Sequence, residues 1–400
     1  MPKTREPGEV IGTPRSAARS LLRSTLEQER PTVVEKTLMG RARQRTAFLT
    51  KAIGKWLINY VKNIFKRRRK LRPHKTTSGV YRMPNECVIG LAADWGTGTE
   101  SAQAVANALR AKNPAITVHM GDVYYSGTRG EYDDYFLNSW PRGALSSADP
   151  NDAQGTYILN ANHEMYSGGE GYLDHALDIL KQEASFFAVE NDHWRVIALD
   201  TGYHSDRGLK VFLGGTKLPK ENLDWLRDHV FTDPADQRPV ILLSHHQWFS
   251  AYERDFPSFS KDLQPFLGRV HLWFWGHEHR LAGYARHGLN GAPKVYARCI
   301  GHGGMPIELG KTPSKSAKNA LVFTDERFAL DVDNVRCGFC GFALLRFRGP
   351  NLAIEYRDER DRTLLVERWQ QTQTGLQGDV EETSETSTLT FRRPLGDLVG

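Results

Sequence analysis

Five short clusters along the chain carry side chains that bind cations or move protons. They are Asp94-Trp95-Gly96, Gly121-Asp122-Val123-Tyr124-Tyr125, Asn162-His163-Glu164, Ser244-His245-His246 and Gly276-His277-Glu278-His279. Carboxylate, amide and imidazole are hard to borderline donors, so the chemistry they could share is that of a metal centre. Each cluster alone has an ordinary explanation: an Asp after a strand caps a turn, and a buried His is satisfied by a hydrogen bond. Five such clusters, each placed the same way relative to an apolar run, are hard to explain one by one.

The apolar runs predict the elements that must position them. Strands are expected over 87–93, 116–120, 157–160, 194–199, 240–243 and 270–275, with helices over 101–111 and 222–230. This alternation indicates an α/β fold. Each cluster directly follows a strand, and in an open α/β sheet ligands bind beyond the carboxyl ends of strands. Residues spread over almost 190 positions can therefore converge.

In this order the clusters resemble the calcineurin-like metallophosphoesterases, over about residues 86–304. The resemblance implies a four-layer α/β/β/α sandwich, with strands at 342–347 and 352–356 completing its second sheet. It also implies a phosphoester hydrolase with two metal ions. Most of that superfamily has a ligand His two positions after the first Asp, where this chain has Gly96. Most also have Asp three positions after the second Asp, where it has Tyr125. Both changes resemble the purple acid phosphatase branch, in which tyrosine replaces the missing His.

Carried over position by position, one metal takes Asp94, Asp122, Tyr125 and His279, and the other takes Asp122, Asn162, His245 and His277. Asp122 bridges them. A phenolate suits a trivalent ion, so the expected pair is Fe(III) with a divalent Fe, Mn or Zn. The centre activates water to hydroxide and neutralises phosphoryl charge. His163 contacts the phosphoryl group or protonates the leaving oxygen, with Glu164 either orienting it or simply starting a helix. Of the two neighbouring histidines, His245 stands where the family's ligand stands, and His246 is expected to point elsewhere.

The chain also departs from the pattern. Ala161 replaces the usual Gly before Asn-His and is tolerable only if its φ stays negative. Arg254 stands about where that branch carries another His; it could clamp phosphate but cannot donate a proton as His does. His302 and His204 are candidates for rim loops, with a structural role the plainer reading. The expected substrate is a phosphorylated small molecule or nucleotide, with phosphomonoester hydrolysis favoured. Phosphodiesterase activity on nucleotides or nucleic acid is the alternative. A membrane- or partner-docked regulator using the metal site as scaffold is a second.

The chain has 400 residues and a net charge of +6. Residues 1–80 hold 20 Lys and Arg against five Glu, so this segment carries +15 and the remaining 320 residues −9. Three parts are expected: a basic, mostly helical extension over 1–80, a catalytic domain over 81–369 and a disordered tail over 370–400, rich in Thr, Glu and Ser. From Phe48 to Phe65 paired apolar residues recur every four positions, the pattern of a one-faced helix, and Lys66–Lys70, Arg72 and Lys75 follow. Residues 48–75 either dock on the catalytic domain or bind an anionic membrane surface, nucleic acid or a protein partner. No apolar run is long enough to cross a membrane and the first residues carry no hydrophobic signal region, so the cytoplasm is the expected compartment. Four cysteines are too few for a disulfide framework, and Cys337-Gly-Phe-Cys340 is read as ordinary buried thiols.

Overall fold

Side chains on a strand alternate between its two faces, and that alternation builds the layers. The computed structural model describes residues 68–205, 215–332 and 335–400. In the strand Glu86–Ala92, Cys87, Ile89 and Leu91 enter one apolar core while Val88 and Ala92 reach another. In Val240–Ser244, Ile241 and Leu243 enter that same first core, and Val240 and Leu242 a third. The shared core lies between two facing sheets. Val105 and Leu109 of the helix Glu100–Ala111 pack on the outer face of the first sheet. Trp225, Leu226 and Val230, from the helical stretch Lys220–Val230, pack on the outer face of the second. This is the expected α/β/β/α order, with few and short helices.

The first sheet has seven strands. Glu86–Ala92 pairs in parallel with Ile116–His119, which pairs in parallel with Thr156–Ile158. On its other side Glu86–Ala92 pairs antiparallel with Gly341–Arg348, followed by Asn351–Asp358, Thr363–Thr372 and Gly375–Glu382. The second sheet has nine strands, with Arg195–Ala198, Val240–Ser244, Val270–Trp275 and Tyr296–Ile300 parallel at its centre. Every expected strand is present within a few residues of its predicted bounds.

Residues 370–400 correct one expectation, because they are ordered. Gly375–Glu382 alternates between half-buried and exposed positions, as an edge strand does. Beyond it, Leu389, Leu398 and Val399 enter the inter-sheet core. A polar edge strand and a disordered tail have the same composition, so only the alternation and the few terminal apolar residues separate them.

The N-terminal boundary also moves. Val80–Arg82 pairs with Phe187–Glu190 and belongs to the second sheet. The preceding residues 68–79 form an irregular strap on the catalytic body rather than a helix. Arg69 pairs with Asp174 and Arg72 with Asp178, while Arg72 also donates to the Leu173 carbonyl at 3.0 Å. This end of the basic segment therefore docks on the acidic surface of the body. The helix expected over 48–65 lies outside the described residues. Among the described residues no helix is long and apolar enough to cross a membrane.

Candidate metal centre

The five clusters converge because each begins where a parallel strand ends. Asp94 and Asp122 sit in tight turns with φ of 57° and 71°, and His277 follows its strand with φ of 65°. Such left-handed values are uncommon for residues with a side chain and accumulate at functional sites. Here they fold the backbone back so that the carboxylates and the imidazole face one another. Gly96 lies beside this turn: a Cβ there would come within 2.8 Å of the Val123 backbone, with which Gly96 forms an isolated β-bridge. Ala161 keeps an extended φ of −141°, so its methyl group is accommodated.

Asp122 is the centre of the arrangement. Its Oδ2 lies 3.2 Å from the Tyr124 hydroxyl and 3.4 Å from His245 Nε2. On one side, Tyr124 Oη stands 3.0 Å from Asp94 Oδ1 and 3.1 Å from His279 Nε2. On the other, His245 Nε2 stands 3.1 Å from Asn162 Oδ1. Donors held about 2.0–2.2 Å from one cation at tetrahedral or octahedral angles lie roughly 3.0–3.5 Å apart. The separations fit that spacing on both sides of a shared oxygen. The donor set therefore fits metal ions at this centre. Asp94 and Asp122 are both at most 1% exposed, and burying two carboxylates together is costly without cations.

The histidines are in the state that ligands need. Burial pushes His245 down to about 4 and lowers His277 as well, which leaves both imidazoles neutral. The Met120 carbonyl faces His245 Nδ1 at 3.0 Å, so that nitrogen carries the proton and Nε2 presents its lone pair to the centre.

The structure changes two expected roles and adds to a third. The hydroxyl that meets Asp94, Asp122 and His279 belongs to Tyr124, whereas Tyr125 offers its backbone carbonyl to His163 Nδ1 at 2.9 Å. That carbonyl orients His163, whose Nε2 lies 3.7 Å from Asp122 Oδ2. Glu164 interacts electrostatically with His163, and its carboxylate also accepts the backbone N–H groups of Asp122 and Val123 and the Tyr132 hydroxyl. His246 does not point elsewhere, because strand alternation stops at Ser244. Its ring centroid is 4.6 Å from that of His277, and it groups with His245 and His277 as possible metal donors. Thr201 was not foreseen: its hydroxyl meets both the backbone N–H and Nδ1 of His246, at 3.0 and 3.1 Å.

The two accessory residues separate. Arg254 stacks on Phe256 at 4.8 Å, and Phe256 lies 5.4 Å from the His246 ring, so the guanidinium stands at the edge of the centre. His302 is buried at 1% exposure, against Gly341 and near Asp325, Arg327 and Asp358. His204 lies edge-on to Tyr203, at 5.1 Å between ring centroids. The four cysteines are buried free thiols.

The model of the calcineurin-like phosphoesterase family matches residues 88–281, a span that contains every residue of the centre and none of the C-terminal strands. Among solved structures, the chain is similar to a purple acid phosphatase from yellow lupin (Lupinus luteus) seeds. Identity is 15% and the TM-score 0.48, over 70% of this chain and 53% of that one, so the chain spans about half the length of the lupin enzyme. It is also similar to GAP50, the anchor in the inner membrane complex of Plasmodium, at 13% identity and a TM-score of 0.48, over 70% of this chain and 87% of that one. A third similar structure is PhoD, at 12% identity and a TM-score of 0.47, over 78% of this chain and 74% of that one. No curated protein matches the chain in sequence.

Proposed function

Since residues 88–281 form a calcineurin-like phosphoesterase domain, we propose that the chain hydrolyses phosphomonoesters at a binuclear centre bridged by Asp122. One observation carries this reading: Asp122 Oδ2 lies within 3.2–3.4 Å of a donor from each of two ligand groups. Asp94, His279 and a tyrosine would hold one ion, and Asn162, His245 and His277 the other. Two anionic carboxylates with a phenolate favour Fe(III) in the first group, and an amide with two imidazoles favours divalent Fe, Mn or Zn in the second. When bound, such a pair acidifies water and neutralises charge on the phosphoryl oxygens.

The chain's own groups do the rest. His163, held through Nδ1 by the Tyr125 carbonyl, aims Nε2 at the centre, where it can donate to the phosphoryl group or the leaving oxygen. Arg254 at the edge supplies a charged fork for the remaining phosphoryl oxygens. Asn162, His163 and His279 are 7, 2 and 9% exposed, and so buried a set favours a small monoester over a polymeric diester.

A substrate panel on metal-analysed protein tests the reading, with phosphomonoesters set against linear and cyclic diesters. Monoesters should turn over fastest. Faster turnover of diesters would move the assignment to phosphodiesterase. No turnover by protein holding both metals would favour a docked regulator.

A further inference from the structure

We propose that the phenolate ligand of this centre is Tyr124 and not Tyr125, a proposal that rests on the binuclear reading above. The Tyr124 hydroxyl is buried among Asp94 Oδ1, Asp122 Oδ2 and His279 Nε2, at 3.0, 3.2 and 3.1 Å. His279 Nε2 and Asp94 Oδ1 are themselves 3.4 Å apart. In four of their pairings these four atoms stand 3.0–3.4 Å apart, as donors around one cation do. Three of them belong to groups that are anionic when they bind metal, which matches the charge of a trivalent ion.

The backbone of Tyr125 is engaged on both sides. Its N–H donates to Glu131 Oε1 at 2.7 Å and its carbonyl accepts from His163. Its side chain is partly exposed, whereas Tyr124 is 1% exposed.

Gly96 explains why position 124 can reach the metal. The Tyr124 N–H donates to the Gly96 carbonyl at 2.9 Å, and Gly96 pairs with Val123. A Cβ at position 96 would press on Val123 Cα and Cγ2 at 2.8 and 2.9 Å. Only a residue without a side chain lets the Val123–Tyr124 backbone approach the Asp94 turn this closely. The donor absent at position 96 and the donor supplied by Tyr124 are therefore two sides of one change. The ligand spacing becomes Asp-x-Tyr.

The test compares wild type, Tyr124→Phe and Tyr125→Phe, each full length and loaded with Fe(III) plus Zn(II). Visible absorption and metal content per chain are measured, with circular dichroism to establish folding. The wild type should show a tyrosinate-to-Fe(III) charge-transfer band that persists in Tyr125→Phe and vanishes in Tyr124→Phe. Loss of the band in Tyr125→Phe overturns the proposal, whether or not the Tyr124 variant folds. So does a colourless wild type that holds Fe(III) and a second ion, which leaves the binuclear reading standing. A wild type that binds no metal removes both.

Discussion

The carboxylate of Glu164 accepts the backbone N–H groups of Asp122 and Val123, at 3.3 and 2.9 Å. It therefore pins the turn in which Asp122 holds its left-handed φ of 71°. Glu164→Gln replaces one acceptor oxygen with a donor and sets N–H against N–H. Outer partners of metal ligands are typically worth about 10–100-fold in affinity or activity. Metal affinity measured by calorimetric titration should fall within that range while the circular dichroism spectrum is unchanged. An unchanged affinity would show that the turn holds itself.

Asp122→Ala removes the oxygen common to both ligand groups. Metal stabilisation of the transition state is worth several kcal/mol, so phosphomonoester turnover should fall by about a thousandfold or more. Metal content should fall with it. A variant that lost its metals yet kept the protein's cellular role would mark the centre as a scaffold.

The candidate ligand positions are legible in the sequence because a metal centre needs particular atoms at strand ends, and both signals are local. Asp94, Asp122, Asn162, His245, His277 and His279 all arrive where the apolar runs stop. The choice between Tyr124 and Tyr125 was not legible, because it depends on how closely the Gly96 and Val123 backbones approach. Glu164 and Thr201 act on backbone groups brought near only by the fold. The polar edge strand Gly375–Glu382 was missed because its pairing with Thr363–Thr372, not its composition, orders it.

The strap over residues 68–79 should contribute to stability. Glu183 accepts backbone N–H groups of Lys75, Thr76 and Thr77. Removing residues 1–79 forfeits several bonds of about 0.5–1.5 kcal/mol each and should lower the thermal midpoint clearly below that of the chain lacking only residues 1–67. Equal midpoints for the two truncations would show that the strap contributes nothing.

Glu183 gives that strap a pH dependence. Burial, the largest single effect, raises its carboxyl, but donation from the Thr76 and Thr77 hydroxyls and the backbone together outweighs it and brings the pKa down to about 2. A carboxylate depressed in the folded state stabilises above its unfolded pKa of about 4.3 and loses that contribution as pH falls towards 2. Glu183→Gln should therefore lower the melting temperature at pH 7, with the gap to wild type closing between about pH 4.3 and 2. A gap independent of pH would assign the effect to packing.

Arg298 and Glu367 tie the two sheets together through a buried bidentate pair, at 2.6 and 2.8 Å with both side chains fully buried. Arg298 also donates to the Tyr284, Ala297 and Leu398 carbonyls, and Glu367 accepts from Tyr356 and Trp369. The pair thus holds the C-terminal residues against the second sheet, although neither partner stands out in the sequence. Breaking such a pair leaves a buried charge and costs about 3–5 kcal/mol, whereas replacing both partners with apolar residues is often close to neutral. Arg298→Met alone should therefore destabilise the protein in urea by about that amount. Arg298→Met with Glu367→Leu should recover part of the loss, though the carbonyls and the Tyr356 hydroxyl stay without those partners. A double variant as unstable as the sum of the single ones would show that the two residues act separately, through their backbone and aromatic partners.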